Sequence, residues 1–270
     1  MRKFSLKILY LPFLLILSPL SLSEGYTDSL KIGFGSCIDE TKPQPIWEAV
    51  EKENLNDFFF VGDNVYGDLD SGELSNMGPA YEKQEENFPN WLKNLKPLAI
   101  WDDHDYGLND GGGNYILKKD SQKLFLDFWK IKEDDPRRDQ EGIYFSEIKN
   151  LKDKKILILG LDTRYFRSPL VGEKRNYIAT TDTSTTILGE EQWEWLESKF
   201  QQETNLIILV SSIQILATNH GFEKWSNFPH EKERLLSLIK ESKKPVILVS
   251  GDRHKGAIYK QDNLYELTTS

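Results

Sequence analysis

The chain has 270 residues, 39% of them hydrophobic and 12% aromatic, with seven tryptophans; this is enough for a sizeable core and excludes a disordered composition. Against 34 Lys and Arg stand 43 Asp and Glu, a net charge of -9, which excludes a general nucleic-acid binder held by phosphate contacts. Small phosphorylated molecules stay open as partners, because a bound cation inverts the local field.

The chain starts with the cations Arg2, Lys3 and Lys7, followed by an apolar run from Ile8 to Leu17 and then by Ser21-Leu22-Ser23 before Glu24. This pattern predicts a signal peptide over residues 1–23 and export to the periplasm or the exterior. The run is short and broken by Pro12 and Pro19, so no membrane span is expected once the signal is cleaved. The leader has no Arg-Arg pair and no cysteine at the cleavage point, so neither a twin-arginine signal nor a lipid anchor is indicated. Residues 30–270 read as one domain. Its single cysteine, Cys37, excludes an internal disulfide and leaves two readings, a buried inert thiol or a metal ligand.

Leu30 to Phe34 reads as the first strand, with Gly35-Ser36-Cys37 at its end, and Pro43 to Glu53 as a helix carrying Ile46, Trp47 and Val50. The apolar run ending at Val61 leads into Gly62-Asp63-Asn64-Val65-Tyr66. Asp68 to Pro79 is rich in Gly, Ser and Asp and reads as a surface loop, with Asp68, Asp70 and Asp110 as solvated loop acids. Tyr81 to Leu95 and Asp120 to Ile131 carry helical spacing. Between them, Pro97 to Trp101 leads into Asp102-Asp103-His104-Asp105, with Asp102 and Asp105 read as turn and cap residues. Gly142 to Ile148 and Lys155 to Leu161 read as a strand pair. A helix over Gly189 to Gln201 then precedes a strand over Leu206 to Val210. Trp193 and Trp195 are expected to divide between core and surface. The last helix, Pro229 to Ser242, leads into strand Val246 to Val249 and Gly251-Asp252-Arg253-His254. A strand-like stretch, Asn263 to Leu267, ends the chain abruptly for a sheet protein. Strands alternating with helices predict an α/β fold.

Three acidic clusters thus follow three apolar strands. In such sheets ligands bind outside the carboxyl ends of the strands. A pair of metals needs one bridging carboxylate, further N, O or S ligands and an open position. Asp63 suits the bridge, and Tyr66, three residues on, can reach the same ion. Asp103 and His104, on an extended segment, point to opposite sides, one to metal and one to substrate. Asp252 and His254, two apart on a strand end, point the same way.

Gly-Asp-x-x-Tyr, Asp-Asp-His and Gly-Asp-x-His, with Gly35-Ser36-Cys37 and Leu161-Asp162-Thr163-Arg164-Tyr165-Phe166-Arg167, resemble the alkaline phosphatase D (PhoD-like) branch of the calcineurin-like metallophosphatases. The resemblance covers roughly residues 31–270. It implies a two-sheet αββα sandwich with a dinuclear metal centre at the carboxyl ends of the strands. By the resemblance, Cys37, Asp63, Tyr66 and His254 hold Fe³⁺. Asp63 bridges to Ca²⁺, completed by Asp103 and Asp252, with Asn109 as an extra contact. His104 protonates the leaving oxygen and Arg164 clamps phosphate, while a metal-bound hydroxide attacks phosphorus. Oxygen-only ligation at the second site independently favours a hard ion.

Asp103 and Asp252 stand where common metallophosphatases carry Asn and His, and Ser211-Ser212-Ile213-Gln214 replaces the usual histidine after the penultimate strand, with His220 lying further on. His220 and His230 read as surface or cap residues, and Arg167 as a partner of either an acid or substrate. The expectation is an exported metal-dependent hydrolase of phosphate mono- or diesters acting on a phosphorylated small molecule, with no stable nucleic-acid partner. A phosphodiesterase or nuclease on the same site is one alternative, and an inactive secreted metal-binding domain is another.

Overall fold

In the computed structural model residues 29–270 are described. The expected signal peptide lies outside the described residues. Two sheets form the body. The smaller consists of the parallel strands β1 (Ile32–Gly35), β2 (Asp57–Val61) and β3 (Leu98–Ile100) in that order. The larger contains β4 (Phe145–Leu151), β5 (Lys154–Gly160), β8 (Leu206–Ser211), β9 (Val246–Ser250), β10 (Ala257–Gln261) and β11 (Leu264–Thr268). Its order is β10-β11-β9-β8-β5-β4, with parallel pairing from β11 through β5 and antiparallel strands at both edges. A separate hairpin joins β6 (Val171–Glu173) to β7 (Asn176–Ile178).

Alternation along the strands explains why the sheets stack. Ile156 and Ile158 of β5, with Ile208 and Val210 of β8, face the core shared with the smaller sheet. Their neighbours Leu157, Leu159, Ile207 and Leu209 point to the opposite core, beneath helices α6 (Gly189–Phe200) and α7 (Pro229–Ser242). Strands buried on both faces read as unbroken apolar runs, as these do. In β2, Phe59 stacks on Phe145 of the larger sheet at 5.8 Å. Phe58 and Phe60 instead meet Trp47 of helix α1 (Ile46–Glu51) edge-on, at 5.6 and 6.0 Å. Helices α2 (Met77–Asn87), α3 (Asn90–Leu95) and α5 (Lys118–Phe128) complete that outer layer. The arrangement is the expected αββα sandwich.

Four local expectations are corrected. The helix read over Tyr81 to Leu95 is two helices, because Phe88 precedes Pro89 and is held extended at ψ 126°. Asp103 and His104 open a short helix, α4 (Asp103–Tyr106), rather than lying on an extended segment. Asp252 and His254 stand beyond β9 in a loop, both with left-handed backbone at φ 63° and 49°, rather than on a strand end. Strand β10 and the β6–β7 hairpin, short and largely exposed, escaped the sequence reading.

The sheets are tied together at their carboxyl ends. Ser36 Oγ donates to Thr269 O at 2.8 Å, and Thr269 Oγ1 donates to Phe34 O at 3.0 Å. Trp101 Nε1 donates to Asp162 Oδ1 at 2.9 Å, and Ser212 Oγ donates to Asp102 Oδ1 at 2.6 Å. The carboxyl ends of β1, β2, β3 and β9 therefore open onto one place.

Candidate metal centre

Asp63 lies at the middle of that place. Strand β2 ends at Val61, and Gly62 after it turns the chain sharply with a φ of 94°. A β-carbon there would lie 2.5 Å from Asp102 Cβ, so only glycine lets the β2 and β3 ends close up. Asp63 is buried and follows with φ 50°, and Cys37 at the end of β1 has φ 57°. Cys37 N–H donates to Gly62 O at 3.3 Å, and Ile38 N–H to Asp63 O at 3.0 Å, so the two turns run side by side. Non-glycine residues at positive φ carry strain that the surroundings must hold. Here Cys37, Asp63, Asp252 and His254 share that strain in one cluster.

Cys37 Sγ and the Tyr66 hydroxyl approach Asp63 Oδ2 at 3.4 and 3.5 Å. The same hydroxyl lies 3.2 Å from His254 Nε2. Donor atoms of Cys37, Asp63 and His254 fall within 4.8 Å of one another. Those of Asp63, Asp102, Asp103 and Asp252 form a second such group, sharing Asp63. His104 also comes within this range of Asp63 and Asp103.

The electrostatics test whether cations fit. Asp63 Oδ1, Asp102 Oδ2, Asp103 Oδ1 and Asp252 Oδ2 are buried without a hydrogen-bond donor. A buried acceptor left unpaired costs stability, and an unpaired charge costs more. Burial pushes the Asp63 carboxyl well above its ordinary range, and Asp103 and Cys37 add to this. Burial does the same to Asp252, with Asp102 and Asp103 as the next causes. Asp102 is pushed up to about 7 by burial, with Arg164 opposing and Asp103 reinforcing. Asp103 alone is held low, because Arg164 and His104 outweigh its burial. Burial raises the Cys37 thiol and the Tyr66 phenol as well. Acceptors that resist sharing a space without positive charge, aimed inward and undonated, are a donor set that fits a pair of cations.

His104 stands at the rim, its Nδ1 held at 2.7 Å by Asp68 Oδ1 and its ring 4.3 Å from that of Tyr66. Burial lowers its pKa, yet the Asp68 hydrogen bond and the Asp103 charge bring it up to about 9. Asp68 is therefore not a solvated loop acid but the partner that orients His104. No spacing in the sequence signals this, since the two residues meet only through the fold.

Arg164, expected as a phosphate clamp, lies beneath the carboxylates. Its side chain is 1% exposed and engaged throughout. Nε donates to Asp102 Oδ1 at 2.6 Å, Nη1 to Glu223 Oε2 at 2.5 Å, and Nη2 lies 3.8 Å from Asp103 Oδ1. Arg167, equally buried, pairs with Glu223 Oε1 at 2.7 Å. The two arginines form a charged floor beneath the carboxylates and leave no free donor fork for substrate. Asp102 caps α4, and Asp105 accepts from the Asp102 N–H at 2.6 Å, as expected of cap residues. The placing of Asp102 among the cluster carboxylates was missed, as was Glu223. Asn109 stands on the cavity wall, where its Oδ1 accepts from Lys174 Nζ at 2.9 Å. His220 and His230 lie outside the cluster, bonded to Gln214 and Thr185.

A cavity of about 210 Å³ opens over Asp103, His104, Asp252 and His254, with Lys174, Arg175, Tyr177, Phe222 and Arg253 on its outer wall. A family model described as PhoD-like phosphatase matches residues 79–270. The chain belongs to the PhoD-like phosphatase family. A solved structure of PhoD aligns with a TM-score of 0.68 at 17% identity, covering 89% of this chain and 56% of PhoD. The chain thus spans little more than half the length of that PhoD. A dimetal phosphatase from Danio rerio aligns with a TM-score of 0.56 at 10% identity, over 88% of this chain and 86% of the fish protein. GAP50 of Plasmodium, the anchor in the inner membrane complex, aligns with a TM-score of 0.55 at 12% identity, over 88% of this chain and 70% of its own. No curated protein matches in sequence. The structural likenesses describe the PhoD-like fold, and among the described residues no helix is long and apolar enough to cross a membrane.

Proposed function

We propose that residues 30–270 are a metal-dependent phosphoric ester hydrolase, exported by the signal over residues 1–23 and acting on small phosphorylated molecules. The observation that carries this reading is the set of undonated, buried carboxylate oxygens on Asp63, Asp102, Asp103 and Asp252 beside Cys37, Tyr66 and His254. Cys37, Asp63, Tyr66 and His254 would hold one cation, and their thiolate and phenolate suit Fe³⁺. Asp63, Asp103 and Asp252 would hold a second, and their oxygen donors suit Ca²⁺. Bound cations supply Lewis acidity and acidify water to a pKa of about 7.

The chain's own residues supply the rest. Asp63 fixes the spacing between the two ligand groups. Arg164 holds Asp102 and lies near Asp103, so the carboxylates keep their orientation when substrate arrives. His104, held protonated by Asp68 and lining the cavity, would donate to the departing oxygen. The Tyr66 ring against His104 limits where the imidazole can swing.

The test is elemental analysis of purified protein beside a panel of phosphate mono- and diesters, run with wild type and Asp63→Asn. Two equivalents of metal and turnover in wild type, both lost in the variant, are expected. Full metal occupancy with no turnover of any ester would favour the inactive metal-binding domain.

A further inference from the structure

The outer wall of the cavity carries a positive charge that the proposed hydrolysis does not use. The turn between β6 and β7 presents Lys174 and Arg175 to the cavity, and Arg253 reaches it from the loop that carries Asp252 and His254. Neither Lys174 nor Arg175 is paired with a carboxylate among the described residues; Lys174 donates only to the neutral amide of Asn109. The Arg253 guanidinium carbon lies over the Phe222 ring, 3.8 Å from its centroid, and its buried Nε has no acceptor. Its Nη1 lies 3.7 Å from Asp252 Oδ2.

The turn is held in place. Tyr177 N–H donates to Gly221 O at 2.7 Å, and a β-carbon on Gly221 would lie 2.1 Å from Arg175 O, so the hairpin backbone packs directly on the Phe222 loop. Tyr177 OH donates to Asp110 Oδ2 at 2.8 Å, which anchors the hairpin to the cavity wall. His220, behind Phe222, is brought down to about 4 by burial and then by Arg253, Lys224 and Lys255.

A chain of net charge -9 would repel anions at large, yet three cations are gathered around one cavity mouth. We infer that Lys174, Arg175 and Arg253 form a subsite for a second negative group of the substrate, so that the preferred ester carries a phosphate or carboxylate on its alcohol portion. This inference rests on the phosphoester hydrolase reading and adds the class of alcohol to it.

The experiment compares two esters of matched size, 3-hydroxypropyl phosphate and 2-carboxyethyl phosphate, by inorganic phosphate release from the metal-loaded enzyme. Wild type should show the higher kcat/KM for the carboxylate ester, a preference that shrinks as salt rises. In Lys174→Ala/Arg175→Ala the ratio of the two kcat/KM values should fall about tenfold, each factor of ten corresponding to about 1.4 kcal/mol. Lys174→Arg/Arg175→Lys should retain the ratio, and Lys174→Glu/Arg175→Glu should invert it. A ratio that stays within about twofold across these variants would overturn the subsite while leaving the hydrolase intact. Failure of wild type to cleave either ester, at full metal content, would count against the hydrolase reading itself and with it the subsite.

Discussion

Asp68 Oδ1 and His104 Nδ1 lie 2.7 Å apart, a carboxylate and an imidazole joined across the cavity rim. The pair sets the pH range of the proposed acid. The folded value of about 9 exceeds the ordinary 6.5, so the protonated form is favoured in the fold. The stabilisation is fully present below pH 6.5 and is lost as pH rises through about 9. Asp68→Asn should move the basic limb of kcat from near 9 down towards 6.5, read from a pH–rate profile on a poor leaving group. An unmoved limb would remove Asp68 from this role.

His104→Ala should retain metal, because His104 contributes to the rim and is not needed by either ligand group, while kcat falls roughly 10²–10⁴-fold. The loss should shrink for esters with good leaving groups, which need no proton. Equal losses across a leaving-group series would assign His104 to substrate binding instead.

Arg164 has a different signature from a substrate clamp. Removing a buried cation leaves Asp102 and Glu223 unpaired, and breaking such a pair costs about 3–5 kcal/mol. Arg164→Ala should therefore lower stability by that amount in denaturant titration of the metal-free protein. A clamp would raise KM with stability unchanged, and that pattern would refute the structural role.

Cys37 can be followed by colour. Thiolate and phenolate ligands on Fe³⁺ should give visible charge-transfer absorption, and a coordinated sulfur should resist iodoacetamide until chelator is added. Cys37→Ser should alter the spectrum and weaken the first metal while the far-ultraviolet circular dichroism stays constant. Free alkylation of the metal-loaded protein would take Cys37 out of the ligand set.

The strands were legible wherever burial made them unbroken apolar runs: Asp57–Val61 and the helix Pro229–Ser242 fall where periodicity places them. The acidic clusters were legible because each follows such a run. What could not be read was direction. Asp103 and His104 sit on a helical turn, and Asp252 and His254 in left-handed backbone, so period-two reasoning gave their side chains the wrong geometry. Partnerships across the fold were equally silent. Asp68 and His104 are 36 residues apart and Arg164 and Glu223 are 59 apart, and only tertiary packing turns a loop acid into an orienting group or an arginine into a floor.

The proposed ligand set runs from Cys37 just beyond the first strand to His254 beyond the ninth, and β9 reaches its place by pairing in parallel with β8 and β11. Parallel pairings between distant segments close late in folding, because the intervening loop entropy must be overcome first. During synthesis the early acids emerge long before Asp252 and His254, and they have no complete cage to offer. Under the proposed ligation metal capture would be deferred to a nearly finished molecule, and if the chain is exported unfolded, as proposed, it would cross empty and acquire its cations on the far side.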